Sequence, residues 1–159
     1  MGAGLKRIMV ATDGSKAAGQ AVRYAARLAR RRGTKLVILH VVSYKRVGYW
    51  SFIDQHFKKE LLVAAEKILE EAEAFAGSYE VPCQRLIREA EKLPHLAIVE
   101  AVEEQKDIWV LVLGDKGQDL EDRQTLGSTT NGVLHELSRR QVPVPVLVVP
   151  YVEGVELTV

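Results

Sequence analysis

The chain has 159 residues, enough for one domain with a substantial core, and its hydrophobic (47%) and charged (27%) fractions are those of an ordinary globular protein. A formal net charge of +1 gives no basis for nucleic acid or an acidic membrane as partner, and the single cysteine, Cys83, excludes an internal disulfide and a cysteine-built zinc site. Met1 to Arg7 enters an apolar run without the apolar core of a secretory leader, and no apolar run reaches the ~18 residues of a membrane span, so a cytoplasmic protein is expected.

Arg7 to Thr12 is a short apolar run that stops at Asp13-Gly14-Ser15, the pattern of a strand buried on both faces. Ser15 suits an N-cap. From Lys16 to Arg32, Ala18, Ala21, Val22, Ala25, Leu28 and Ala29 recur at helical spacing, and Gly33 closes the helix. Its outer face carries Arg23, Arg27, Arg30 and Arg31 with no acid among them. That face either binds an anion or is a solvated surface, and cations near a helix C-terminus favour the second reading. Lys35 to Val42 is a second buried strand. His40 within it fits a packed or hydrogen-bonded core residue better than a ligand. Residues 43–57 hold Tyr44, Tyr49, Trp50, Phe52 and Phe57, either a lid over a base pocket or a seat for the next helix.

Lys58 to Ala76 is an amphipathic helix whose stripe includes Leu61, Ala65, Ile68, Leu69, Ala72 and Phe75, and Gly77-Ser78 ends it. Val81 to Ile87 reads as a weaker third strand with Pro82 near its start. Pro94 suits a first helical turn, and Leu96 to Gln105 forms a short helix. Trp109 to Leu113 is a fourth buried strand. It breaks at Gly114 and Gly117, crosses a polar stretch, and restarts as a helix under Gly127-Ser128-Thr129-Thr130. Val133, Leu134 and Leu137 give this helix its apolar face, and Gly132 weakens its first turn by about 1 kcal/mol relative to alanine. Val144 to Val149 is a fifth strand. Tyr151 to Val159 alternates apolar and polar residues and suggests an extra strand.

A strand that ends at glycine and resumes as a helix under Gly-Ser-Thr-Thr is a candidate phosphate cradle. Glycines admit a close anion and positive φ, the helix start offers free N–H groups, and Ser128, Thr129 and Thr130 add hydroxyl donors. The competing reading is an ordinary surface loop with a glycine-capped turn. The strict alternation of strand and helix predicts an α/β fold: one domain over 1–159, a doubly wound, five-stranded parallel sheet with helices on both faces. In such sheets ligands lie beyond the carboxyl ends of the strands, so Asp13, Val41-Val42 and Gly114 should converge on one crevice.

Ile8-Met9-Val10-Ala11-Thr12-Asp13-Gly14-Ser15, His40-Val41, the Gly-x2-Gly-x9-Gly-Ser spacing of Gly114, Gly117, Gly127 and Ser128, and Pro145-Val146-Leu147-Val148-Val149 together resemble the universal stress protein family. The likeness covers nearly the whole chain, and the glycine spacing resembles the ATP-binding branch. The resemblance implies an adenine nucleotide alpha hydrolase-like fold and an ATP site. Asp13 would lie near the ribose or the metal-bound phosphates, with Ala11, Thr12 and Ser15 at the same mouth. The Val41 backbone would meet the adenine edge, and Leu113 would pack nearby. Gly114, Gly117, Gly127, Ser128 and Thr129 would hold ribose and phosphates, accompanied by Mg2+ or Mn2+ at Asp13. It also implies a homodimer through the edge strand Val146 to Val149, which fits the tendency of an apolar edge to seek pairing. Thr129 stands where the family commonly has valine, Gly132 loosens the helix, and Glu89-Ala90-Glu91 replaces a glycine turn.

The expected function is therefore an adenine nucleotide-binding regulatory or stress-response protein with little or no turnover. No catalytic residue is assigned, because no partner that would tune a general base stands near Asp13 or Lys116 in the motif. The alternatives are a slow ATPase on the same fold and a nucleotide-free dimeric interaction module.

Overall fold

The computed structural model describes residues 4–44, 54–91, 93–117 and 125–159. Tyr49, Trp50 and Phe52 of the aromatic connection, and the polar stretch 118–124, lie outside the described residues. In chain order the elements are β1 (Arg7–Ala11), α1 (Lys16–Arg32), β2 (Leu36–Ser43), α2 (Asp54–Gly77), β3 (Cys83–Ala90), α3 (Pro94–Gln105), β4 (Ile108–Gly114), α4 (Ser128–Arg139) and β5 (Val146–Val149). The strands form one parallel sheet in the order β3-β2-β1-β4-β5. This is the doubly wound α/β architecture the alternation predicts.

Side chains along each strand alternate between two cores. Ile8, Val10, Leu36, Ile38 and Val112 face α1 and α2, where they meet Ala21, Val22, Ala25, Leu69 and Ala72. Met9, Val37, Leu39, Leu111 and Leu113 face α3 and α4, where they meet Ile98, Val99, Val133 and Leu137. The small side chains Ala21, Ala25, Ala26 and Ala29, all fully buried, let α1 lie close to the sheet. Ser15 caps α1 by accepting from the Ala18 N–H (3.1 Å), and Gly33 ends it in the left-handed region at φ 68°.

Strand ends shift by one or two residues from the sequence pattern, β5 beginning at Val146 and not Val144, and three differences are larger. Helix α2 begins at Asp54, before Lys58, which places Phe57 on an exposed helical turn. Strand β3 continues past Ile87 to Ala90, paired residue for residue with β2. Its charges hide it from a hydrophobic pattern: Arg85 bonds Glu73 of α2 on one face, and Arg88 bonds Glu104 of α3 on the other. The third difference is the tail. Residues Tyr151 to Val159 form no strand. They lie across α1 instead, with Gln20 Nε2 donating to the carbonyls of Val152 (3.3 Å) and Val155 (2.8 Å) and Leu157 packed on the core.

That placement also decides the arginine face of α1. Arg27 pairs with Glu156 (2.8 Å), Arg31 donates to the Val159 carbonyl, and Arg23 lies over the Phe75 ring at 4.5 Å. Arg30 stands 3.9 Å from the exposed Glu80, so the face meets the chain's own tail, neighbouring aromatic rings and one surface acid.

Helices α3 and α4 cross at Gly132. A Cβ there would stand 2.4 Å from His95 Nδ1, so the glycine that weakens α4 by propensity is needed for the crossing. At the other end of α4, Glu136 is buried, with 8% of its surface exposed. It bonds Arg139 (2.6 Å) and Arg140 (2.6 Å), and Arg140 reaches on to Glu103 of α3 (2.9 Å). The hydrogen bonds from Arg139 and Arg140 hold the Glu136 carboxyl down from 4.5 to about 2. An acid depressed in the folded state adds stability that is complete above its unfolded pKa and is lost as pH falls toward the folded one. Acid unfolding followed by circular dichroism should therefore show wild-type protein losing stability between pH 4.5 and about 2. Glu136→Gln, with no charge to neutralise, should show a shallower slope across that window.

Candidate functional site

The loop after β1 is shaped by its own side chains. Thr12 Oγ1 accepts from the Gly14 N–H (3.2 Å) and Asp13 Oδ1 accepts from the Ser15 N–H (2.9 Å). Gly14 sits at φ 81°, in the left-handed region, and a Cβ there would press on Ile68 of α2 at 3.0 Å. His40 comes from β2 and its Nδ1–H donates to the Thr12 carbonyl at 2.7 Å. The histidine thus pins the end of β1, which is the hydrogen-bonded core role the sequence favours.

The loop after β4 approaches from the other side. A Cβ at Gly114 would stand 3.3 Å from the backbone of Ala17 in α1. One at Gly117 would stand 3.2 Å from Asp13 Oδ2, and one at Gly127 would stand 3.3 Å from the Asp115 carbonyl and the Lys116 Cα. None of these three glycines is in the left-handed region. The expectation of positive φ is corrected here: the motif uses glycine for close approach of backbone to backbone and to Asp13.

Helix α4 begins at Ser128 with Gly127 as its N-cap, and that glycine offers no side-chain hydrogen bond. The Gly127 N–H donates to the Asp115 carbonyl (2.8 Å), while the first N–H groups of the helix have no carbonyl within the helix to bond. They carry the positive end of the helix dipole. The hydroxyls divide. Thr130 is buried and donates to the Gly114 carbonyl at 2.7 Å, so it ties α4 to the end of β4 and is not a donor to a ligand. Ser128 is exposed and Thr129 half-buried at the mouth.

These pieces enclose a cleft of about 740 Å³. Ala11, Thr12, Asp13, Val41, Leu113, Gly114, Gly117, Gly127, Ser128 and Thr129 all line it. Ser15 does not; its hydroxyl is committed to the helix cap, and it lines a separate cavity of about 370 Å³ between α1 and α2. Val42 is buried elsewhere, because it points to the opposite face of the strand from Val41. Pro94 and Ile98 of α3, Ala18 of α1, and Lys116, Thr125, Leu126 and Asn131 also line it, without a sequence pattern that marks them as lining residues. For α3 the signal is positional: Pro94 opens the helix after the carboxyl end of β3, the same edge of the sheet as the other loops.

Among the described lining residues Asp13 is the one carboxylate and Lys116 the one amine. Among the described residues no group of three or more histidine, cysteine or acidic side chains could hold a metal. The cleft offers a nearly neutral lining, an apolar wall from Val41, Ile98 and Leu113, and a helix start suited to an anion. None of the described helices is long and apolar enough to cross a membrane.

The model of the universal stress protein family matches residues 4–150. Universal stress protein Rv2623 of Mycobacterium tuberculosis strain H37Rv is 32% identical over 136 residues, which cover 80% of this chain and 43% of that protein. The chain therefore spans less than half the length of this relative. Universal stress protein UspA from Lactobacillus plantarum superimposes with a TM-score of 0.77 at 22% identity, covering 93% of this chain and 99% of that one. The universal stress protein from Archaeoglobus fulgidus in complex with dAMP superimposes with a TM-score of 0.63 at 23% identity, covering 90% and 96%.

The buried Thr130 bond gives a direct test of the site's framework. Thr130→Val keeps the shape but leaves the Gly114 carbonyl without that donor. Urea unfolding should show a loss of about 1–3 kcal/mol.

Proposed function

The chain belongs to the universal stress protein family, and from that premise we propose that its cleft holds an adenine nucleotide, ATP, with little or no turnover. The observation that carries the reading is the meeting of Asp13, Val41, the Gly114–Gly117 turn and the start of α4 around one cleft. Its volume lies within the range of about 300–1,000 Å³ common for small-molecule sites. The phosphates lie at the N–H groups of Ser128 and Thr129, with the two hydroxyls beside them. The adenine edge meets the backbone of Val41, and Leu113 and Ile98 supply the apolar wall. A Mg2+ or Mn2+ ion accompanies the phosphates at the Asp13 carboxylate. The solved relative from Archaeoglobus fulgidus in complex with dAMP supports an adenine nucleotide.

In this reading the protein is a regulator that reports the bound nucleotide. Asp13 Oδ1 accepts from the Ser15 N–H, which holds the carboxylate at the cleft in a fixed direction suited to a metal contact. The regulator works in the cytoplasm as a homodimer. Strand β5 is the free edge of the sheet beside β4, and it presents the partly exposed Val146, Leu147 and Val148. Such an edge is a template for pairing with a second copy.

Equilibrium dialysis with ATP and Mg2+ should show about one nucleotide per chain, and an absence of binding at millimolar ATP (a Kd weaker than about 1 mM) would sink the reading. Gly127→Val should abolish binding while light scattering still reports a dimer. Its branched side chain would push the 115–117 backbone away from the helix start, where a Cβ alone already stands 3.3 Å from the Asp115 carbonyl.

A further inference from the structure

Asp115 follows the last residue of β4 and bonds separate parts of the chain. Its N–H donates to the Val149 carbonyl of β5 (3.1 Å), and its own carbonyl accepts from the Gly127 N–H (2.8 Å). Its Oδ1 accepts from the Tyr151 N–H (3.0 Å), the start of the tail. The tail is moored on α1 through Gln20, whose amide donates to two tail carbonyls, and through the Arg27–Glu156 pair. Neither Asp115 nor Gln20 lines the cleft. A line of hydrogen bonds therefore runs from the outer face of α1, through the tail and Asp115, to the N-cap of α4.

We propose that Asp115 is a positioning residue through which docking of the tail on α1 sets the affinity of the cleft for an anion. Gly127 has no side chain with which to fix itself, so its place depends on the Asp115 carbonyl. That carbonyl is oriented by what the Asp115 N–H and carboxylate hold. A carboxylate accepting a backbone N–H is a charge-assisted bond, stronger than a neutral one. When the tail leaves α1, the Tyr151 bond weakens, and the start of α4 loses its register with the loop.

The proposal rests on the nucleotide reading for its affinity measurement, and a second measurement is free of it. With ATP and Mg2+, Asp115→Ala should weaken binding by about 3- to 10-fold, the loss of one hydrogen bond. Asp115→Asn keeps the acceptor and should stay within about 2-fold of wild type. Gln20→Ala should weaken binding by about 2- to 3-fold alone and add nothing in the Asp115→Ala background, because both break the same line. Unchanged affinity in Asp115→Ala, or additive losses in the double variant, would overturn the proposal. Without nucleotide, amide exchange at Gly127 and Asn131 should be faster in Asp115→Ala and Gln20→Ala than in wild type and Asp115→Asn. Equal exchange in all four proteins would overturn it as well. If wild-type protein binds no ATP the nucleotide reading fails, and the exchange measurement still decides this one.

Discussion

The site depends on where two neighbouring strands send the chain. Strands β1 and β4 lie side by side, yet α1 leaves β1 toward one face of the sheet and α4 leaves β4 toward the other. Loops that diverge this way leave a gap at the carboxyl ends of the strands. The small residues keep that gap usable. Gly114 lies against the Ala17 backbone, and Gly127 lies against Asp115, each so close that a Cβ would stand 3.3 Å from backbone atoms. Larger residues there would press on backbone that holds the start of α4 beside Asp13.

In the proposed reading, the described residues would not draw an anion by accumulated charge. The chain is nearly neutral overall, and the described cleft lining balances Asp13 against Lys116. Among the arginines of α1, the densest basic run, Arg23, Arg27 and Arg31 are engaged with the tail or with aromatic rings. Among the described residues the donors on offer are those of the backbone: oriented N–H groups at a helix start whose glycine cap does not satisfy them. A site of this kind would select by geometry, because its donors are fixed in direction and the field falls steeply beyond the first turn.

Much of this was legible in the sequence because it is local. Helix α1 carries its cap, its alanine stripe and its closing glycine within one window, and all three stand where the pattern placed them. The glycine spacing after β4 likewise identified the loop that lines the cleft. The rest depended on distant partners. Gly132 looks like a flaw until His95 arrives from α3. Thr130 looks like a ligand donor until the Gly114 carbonyl claims it. The outer part of β3 looks too polar for a strand until Glu104 neutralises Arg88. The tail has the alternation of a strand, but Gln20 and Arg27 supply partners on α1. Periodicity reports which residues are apolar; it is silent about which polar groups will find each other across the fold.

Thr12 lines both the large cleft and the separate cavity between α1 and α2. It is buried, its hydroxyl is engaged with Gly14, and its carbonyl is held by His40. It is the described residue that the two hollows share, and both its side chain and its backbone are tied down where they meet. A substitution there would be felt in both hollows at once, so neither can be altered through this residue without disturbing the other.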